Sequence, residues 1–208
     1  MTKARTIVGN RFATPAIDEE NLSGWHSRGY LPHFDGDRVT QFVTYRLANS
    51  LPRTFLRTLK FRLDSRRISE VEYYHDVEKY LDLGYGPDYL KSHAIAEIIQ
   101  ENLLKFDGIR YKLLHWAIMP NHVHVLLKRE ADATLASIMH SMKSFTANRA
   151  NKILGRTGRF WSIEYFDRYI RTPEHYSRTV AYIHANPVKA GLCSYDVDWP
   201  FGCARRHE

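Results

Sequence analysis

Two histidines flank one valine in the run Asn121-His122-Val123-His124-Val125-Leu126-Leu127. The run reads as a buried strand. Side chains on a strand alternate, so His122 and His124 share one face while Val123, Val125 and Leu127 share the other. Two imidazoles one strand step apart are half of a site for a divalent cation. A side-chain oxygen would complete the minimum set and leave positions open, so that the cation could polarise a phosphoryl oxygen. The plain structural alternative is a pair of hydrogen-bonded histidines. A histidine-triad nucleotide hydrolase would need a third histidine at the next alternate position, which holds Leu126.

A second group lies near the C-terminal end. Arg178, Tyr182 and Asn186 recur at four-residue spacing and fall on one stripe of a helix. Tyr176, Val180 and Ile183 form a separate apolar stripe facing the core. The Tyr182 oxygen could attack phosphorus and form a covalent phosphotyrosine. A phenol with an ordinary pKa of about 10 needs help to deprotonate, and a neighbouring cation supplies it. Arg178 is a candidate charge stabiliser and Asn186 a candidate third metal ligand. Asn186 could equally cap the helix before Pro187. Tyr165, Tyr169 and Tyr176 compete for the nucleophile's role, while His115 and His184 read as structural.

These residues need elements to hold them. Arg38 to Leu47 alternates as a strand, and Pro52 opens a helical stretch to about residue 81, interrupted near 65–68. Gly84-Tyr85-Gly86-Pro87 is a break. Tyr89 to Phe106 carries a helical apolar stripe. Tyr111 to Met119 is apolar almost throughout and reads as a central strand. Pro120-Asn121 turns the chain into the histidine strand. Thr134 to Leu154 is a long helix with Leu135, Ile138, Met139, Met142 and Phe145 inward. Tyr165 to Ile170 is a short fourth strand. Thr172-Pro173-Glu174 opens the last helix with a cap, a proline in the first turn and a favourable charge. Pro187 is expected to stop it. The order β-α-α-β-β-α-β-α predicts an α+β fold, an antiparallel sheet backed by helices. Residues 1–36 read as a wrapping arm, 37–192 as the catalytic domain and 193–208 as a tail.

The chain has 208 residues and a net charge of +7. Most of that charge sits in 140–192, where Lys143, Arg149, Lys152, Arg156, Arg159, Arg168, Arg171, Arg178 and Lys189 face only Glu164, Asp167 and Glu174. Such a concentration suits a polyanion, most simply nucleic acid. Lys143, Arg149, Lys152, Arg156, Arg159, Arg168 and Arg171 are the candidate DNA contacts, positioning phosphates rather than reading bases. Phe160, Trp161, Tyr165 and Phe166 could stack on unpaired bases or anchor their loop to the core. Cys193 and Cys203 form no CxxC and no zinc-like cluster, which fits free thiols in a reducing compartment. No apolar run reaches membrane-spanning length and no signal-peptide core is seen. The expected location is cytoplasmic, associated with the nucleoid.

His122-Val123-His124 resembles the HUH (His-hydrophobe-His) motif of single-tyrosine DNA transposases. Tyr182-Ile183-His184-Ala185-Asn186-Pro187-Val188-Lys189-Ala190-Gly191-Leu192 is similar to the tyrosine-helix signature of the REP-associated tyrosine transposases. Arg28-Gly29-Tyr30-Leu31-Pro32-His33-Phe34, Lys143-Ser144-Phe145-Thr146, Phe160-Trp161, Glu164-Tyr165-Phe166-Asp167 and Trp199-Pro200-Phe201 add to the likeness. The resemblance implies a ferredoxin-like or RRM-like sheet with the HUH pair on a central strand. It implies metal-dependent cleavage and rejoining of single-stranded DNA near hairpins, through a 5′-phosphotyrosine that frees a 3′ hydroxyl. Carried over by position, His122 and His124 are metal ligands and Tyr182 the nucleophile. Imidazole ligands favour Mn²⁺ and abundance favours Mg²⁺. Two other readings stay open: a hairpin-binding regulator with little cleavage, and a water-using phosphodiesterase. The active site could lie within one chain or be shared in a homodimer.

Overall fold

The computed structural model describes residues 39–130 and 133–204, together with the backbone of 25–27 and 32–34. The remainder of the arm expected over 1–36 lies outside the described residues, as does the end of the tail. Strands β1 (Trp25–Ser27) and β2 (Pro32–Phe34) pair as a small antiparallel ladder. The main sheet contains β3 (Thr40–Leu47), β4 (Tyr111–Ile118), β5 (His122–Arg129) and β6 (Trp161–Tyr169), in spatial order β4-β5-β3-β6. All neighbours are antiparallel. This is the split βαβ order the sequence predicts, and the histidine strand β5 is one of its two inner strands.

The helices are α1 (Arg53–Asp64), α2 (Glu70–Asp82), α3 (His93–Lys105), α4 (Leu135–Ile153) and α5 (Pro173–Lys189). Strand alternation makes two cores. Val43, Tyr45, Leu47, Val123, Val125 and Leu127 face α3 and α4. Phe42, Leu126 and Phe166 face the side where Tyr73 and Tyr74 of α2 and Tyr176 and Ile183 of α5 pack. The histidines have the parity of Leu126, so they belong to this second face. None of the described helices is long and apolar enough to cross a membrane.

Four local expectations change. Tyr111–Ile118 is an edge strand, not a central one. Its apolar run is explained by cover on both faces and along its outer edge, where Ile118 N–H donates to the Phe201 carbonyl at 2.9 Å and Cys203 N–H to the Trp116 carbonyl at 3.2 Å. Pro187 lies inside α5 and does not stop it. Its missing N–H removes a partner only near the helix end, and Ala190 N–H still closes the turn onto the Asn186 carbonyl at 3.0 Å. Phe145 is exposed, because the buried stripe of α4 passes through Thr146 and Ala150 instead. There the Thr146 hydroxyl accepts from the Trp161 indole at 2.9 Å. Finally, β6 begins at Trp161 and not at Tyr165, and of the two readings of Phe160, Trp161 and Phe166 it is the core anchor that their burial matches.

The loop after α2 bears on the site. Gly86 has φ +86°, and a Cβ there would lie 2.9 Å from the Asn49 carbonyl oxygen. Its neighbour Tyr85 offers its carbonyl to the Asn121 amide. Gly86→Ala is expected to cost about 1–3 kcal/mol, through backbone strain and collision. The check is a lower urea midpoint with an unchanged slope.

Candidate metal and tyrosine site

The site begins with Asn121. Its Nδ2 donates to the carbonyls of Leu81 (3.2 Å) and Tyr85 (3.4 Å). That orientation turns Oδ1 towards His122, 2.6 Å from Nδ1. A carbonyl oxygen only accepts, so His122 carries its proton on Nδ1 and presents a bare Nε2. On the next alternate position, His124 Nδ1 lies 2.8 Å from the Thr44 hydroxyl. Thr44 is also hydrogen-bonded to Glu78. With the hydroxyl donating to that carboxylate, His124 Nδ1 donates to Thr44 and its Nε2 is bare too. Outer partners that set both tautomers are the usual support of histidine metal ligands.

The two Nε2 atoms are 2.9 Å apart. Nitrogens on adjacent octahedral positions, with bonds of about 2.05 Å, would be separated by about 2.9 Å. Both rings are buried, His122 at 1% and His124 at 0% exposure. Burial pushes the His122 pKa down to about 3. Burial, then the neighbouring ring, holds His124 well below its ordinary value. Both are therefore neutral, the form that binds metal.

Oxygen comes from two helices. Asp82 Oδ1, at the end of α2, is 3.7 Å from His122 Nε2. Asp82, His122 and His124 bring three ligand atoms within 4.8 Å of one another. Asn186 of α5 is 1% exposed, and its Nδ2 lies 3.0 Å from His124 Nε2. Half a turn of that amide would present Oδ1 instead. Asp82 Oδ1, Glu78 Oε1, Asn186 Oδ1 and Tyr182 Oη are all buried and make no well-formed hydrogen bond among the described residues, though the Asn186 side chain lies near enough to Asp82 and Tyr182 to favour their charged forms. Several orphan oxygens beside two bare imidazole nitrogens make a costly arrangement alone. They fit a hard or borderline divalent cation.

Tyr182 lies on α5, one turn before Asn186. Its ring centroid is 5.2 Å from that of His124 and 6.0 Å from that of Phe42. Burial raises the phenol pKa strongly, and the charges of Glu78 and Asp82 raise it further. Burial likewise raises Glu78 to about 7 and Asp82 to about 6. The phenol is inert in this field, and a cation on the histidines would reverse the sign of that field. Asn186 is not the helix cap, a role that falls to Ala190.

Tyr182 opens onto a groove of about 570 Å³, lined also by Arg168, Arg171 and Arg178. Arg168 lies over the Phe166 ring and Arg171 over the Tyr169 ring. Arg178 Nε donates to the Glu174 carbonyl one turn back. The other basic candidates lie elsewhere. Arg149, Lys152, Arg156 and Arg159 are on the end of α4 and the loop after it, and α4 packs on the opposite sheet face. Lys143 is turned into the protein, donating to the Ile163 carbonyl at 2.7 Å over the Tyr165 ring.

Sequence reasoning missed Glu78 and Asp82. A signal was present: Tyr74, Glu78 and Asp82 repeat at four-residue spacing, so two carboxylates share the stripe of a buried tyrosine.

The family model of the IS200-like transposases matches residues 89–186, the stretch that runs from just before α3 through both histidines to Asn186. A REP-associated tyrosine transposase of Escherichia coli (strain K12) is 29% identical over 116 residues, or 55% of this chain. The match spans 62% of that relative's length, less than two thirds. A solved structure of a REP-associated tyrosine transposase bound to a REP hairpin aligns with a TM-score of 0.55 and 18% identity, over 84% of this chain and 81% of that one. A putative transposase from Deinococcus radiodurans aligns with a TM-score of 0.34 and 14% identity, over 77% of this chain and 96% of that one. The resemblance to REP-associated tyrosine transposases read from the motifs is borne out by family model, curated relative and fold.

Proposed function

We propose that this protein cleaves and rejoins single-stranded DNA beside a hairpin, through a covalent 5′-phosphotyrosine at Tyr182. The observation that carries the reading is the convergence of the Tyr182 ring and the His122–His124 pair within one chain. The relative whose structure holds a REP hairpin supports the choice of hairpin DNA as substrate.

His122 and His124 would hold the divalent metal, Mg²⁺ or Mn²⁺, with an oxygen from Asp82 or Asn186. When bound, that ion supplies Lewis-acid polarisation of a phosphoryl oxygen and charge stabilisation. The protein's residues do the rest. Tyr182 Oη forms a bond to phosphorus as the bond from phosphorus to the 3′ oxygen breaks. The phenolic proton passes to Glu78, whose unpartnered Oε1 and raised pKa suit an acceptor near neutrality. The departing 3′ oxygen takes a proton and becomes a hydroxyl. Attack by a 3′ hydroxyl on the phosphotyrosine reverses the step, so rejoining needs no ATP. Arg168 and Arg171 position the strand, and Arg178 offers charge at the mouth of the groove.

The experiment uses a labelled DNA hairpin with single-stranded flanks, incubated in Mn²⁺ and analysed under denaturing conditions. A protein–DNA adduct with a free 3′ hydroxyl supports the proposal. Tight binding without any adduct would favour a hairpin-binding regulator. Binding itself has a testable electrostatic part. An Arg168→Ala/Arg171→Ala pair should weaken binding about equally for different sequences and reduce the slope of log affinity against log salt by about 1–2. Titrations at several salt concentrations check this.

A further inference from the structure

The remaining chemistry-bearing group lies away from the groove. His115, His184 and Cys203 bring one ligand atom each within 4.8 Å of the others. They come from distant parts of the chain. A register shift in β4 between Leu113 and His115 turns His115 to the α5 side of the sheet. His184 lies two residues beyond Tyr182, about 200° around the helix, and so points away from the groove. Cys203 follows the segment that hydrogen-bonds along the edge of β4.

We propose that these three residues form a second metal site, for zinc or a zinc-like cation, that fastens the tyrosine helix and the C-terminal segment to the sheet. His115 Nδ1 to His184 Nε2 is 3.0 Å, Cys203 Sγ to His184 Nε2 is 3.4 Å, and Cys203 Sγ to His115 Nδ1 is 3.6 Å. Tetrahedral zinc with bonds of about 2.05 Å to nitrogen and 2.3 Å to sulfur separates two nitrogens by about 3.3 Å and nitrogen from sulfur by about 3.6 Å. The triangle therefore already has nearly the required size.

Its surroundings fit as well. The second nitrogen of His115, Nε2, is 3.2 Å from the Tyr176 hydroxyl. The second nitrogen of His184, Nδ1, is 3.6 Å from Asp196 Oδ2. A carboxylate behind one ligating imidazole and a hydroxyl behind the other are the outer contacts that orient metal-binding histidines. The Trp116 N–H, 3.2 Å from Cys203 Sγ, stabilises a thiolate. His115 and Cys203 are buried, so the ion would be shielded. Soft sulfur selects zinc over Mg²⁺ or Mn²⁺, so this site and the histidine pair on β5 take different ions. Metal binding exchanges the Cys203 thiol proton for the ion and involves no redox change.

The test uses the full chain with His122→Ala/His124→Ala, which removes the β5 pair, and with Co²⁺ as the probe. The expected result is a thiolate-to-cobalt charge-transfer band and the intense visible bands of tetrahedral cobalt, at one ion per chain. Both should persist in Cys193→Ser and vanish in Cys203→Ser and His184→Gln. No thiolate band, or one that survives Cys203→Ser, overturns the proposal. Thermal unfolding of the same chain without the two ligand substitutions keeps the test sound if those variants fold poorly. Saturating Zn²⁺ should raise the midpoint over that in chelator by roughly 5–10 °C more than it does in Cys203→Ser, where only the β5 pair is left to bind the ion. An equal rise in the two proteins overturns the proposal.

Discussion

Tyr182→Phe should abolish the covalent adduct while leaving hairpin binding within about twofold of the unsubstituted protein. The substitution removes one oxygen and retains the ring. The ring's packing against Phe42 and His124 is therefore kept, and the fold should be too. The lost oxygen is the only atom of that side chain able to bond to phosphorus. Removing a nucleophile in comparable systems costs about 10⁴-fold or more. The buried Tyr182 Oη makes no well-formed hydrogen bond among the described residues and has the Asn186 side chain beside it, so its loss strands little and should cost little stability. Denaturing electrophoresis of labelled DNA reads the adduct, and equilibrium titration reads binding. A variant that still formed the adduct would move the nucleophile to another residue. A variant that cleaved without an adduct would show that water attacks.

His124→Ala is expected to have the second largest effect. It removes an imidazole whose Nε2 lies 2.9 Å from its partner and whose Nδ1 is held by Thr44. Losing only an outer partner of a metal ligand costs about 10–100-fold, so losing the ligand itself should cost more than about 100-fold in cleavage. The Mn²⁺-dependent rise in thermal midpoint should disappear with it. Asp82 and Asn186 can be separated in the same assay. Asp82→Asn should raise the Mn²⁺ concentration for half-maximal cleavage about tenfold or more, because it removes a formal charge from the cation's surroundings. Asn186→Ala should do less if its amide supports His124 rather than binding the ion. Equal effects would make both of them ligands.

These predictions rest on residues the sequence exposes unequally. The alternation of β5 sets His122 and His124 on one face with Leu126, and the structure keeps that parity. The four-residue spacing of Tyr182 and Asn186 is similarly local, as it follows from the helical repeat alone. Arg178 shares their stripe, but its guanidinium folds back to the Glu174 carbonyl at the groove's mouth. Periodicity gives direction from the axis, not the distance a long side chain will reach. The basic stretch of 140–192 divides for a related reason. Arg168 and Arg171 line the groove with Tyr182, while Arg149 and Lys152 ride on the end of α4, packed against the other sheet face, and Arg156 and Arg159 on the loop after it.

Sequence alone thus determined the strand and helix periods, and with them the face that each histidine and Tyr182 would occupy. Those are properties of a few consecutive residues and of the backbone's fixed repeats. Only the tertiary structure decided that Asp82 of α2 would meet the histidines and Glu78 the tyrosine, that Asn121 would set one tautomer, and that Cys203 would join His115 and His184. Each of those meetings depends on separate elements packed together; even Asn121, beside His122 in sequence, is aimed by the carbonyls of Leu81 and Tyr85. Which elements meet depends on how both sheet faces and the outer edge of β4 are covered, and no local spacing records that.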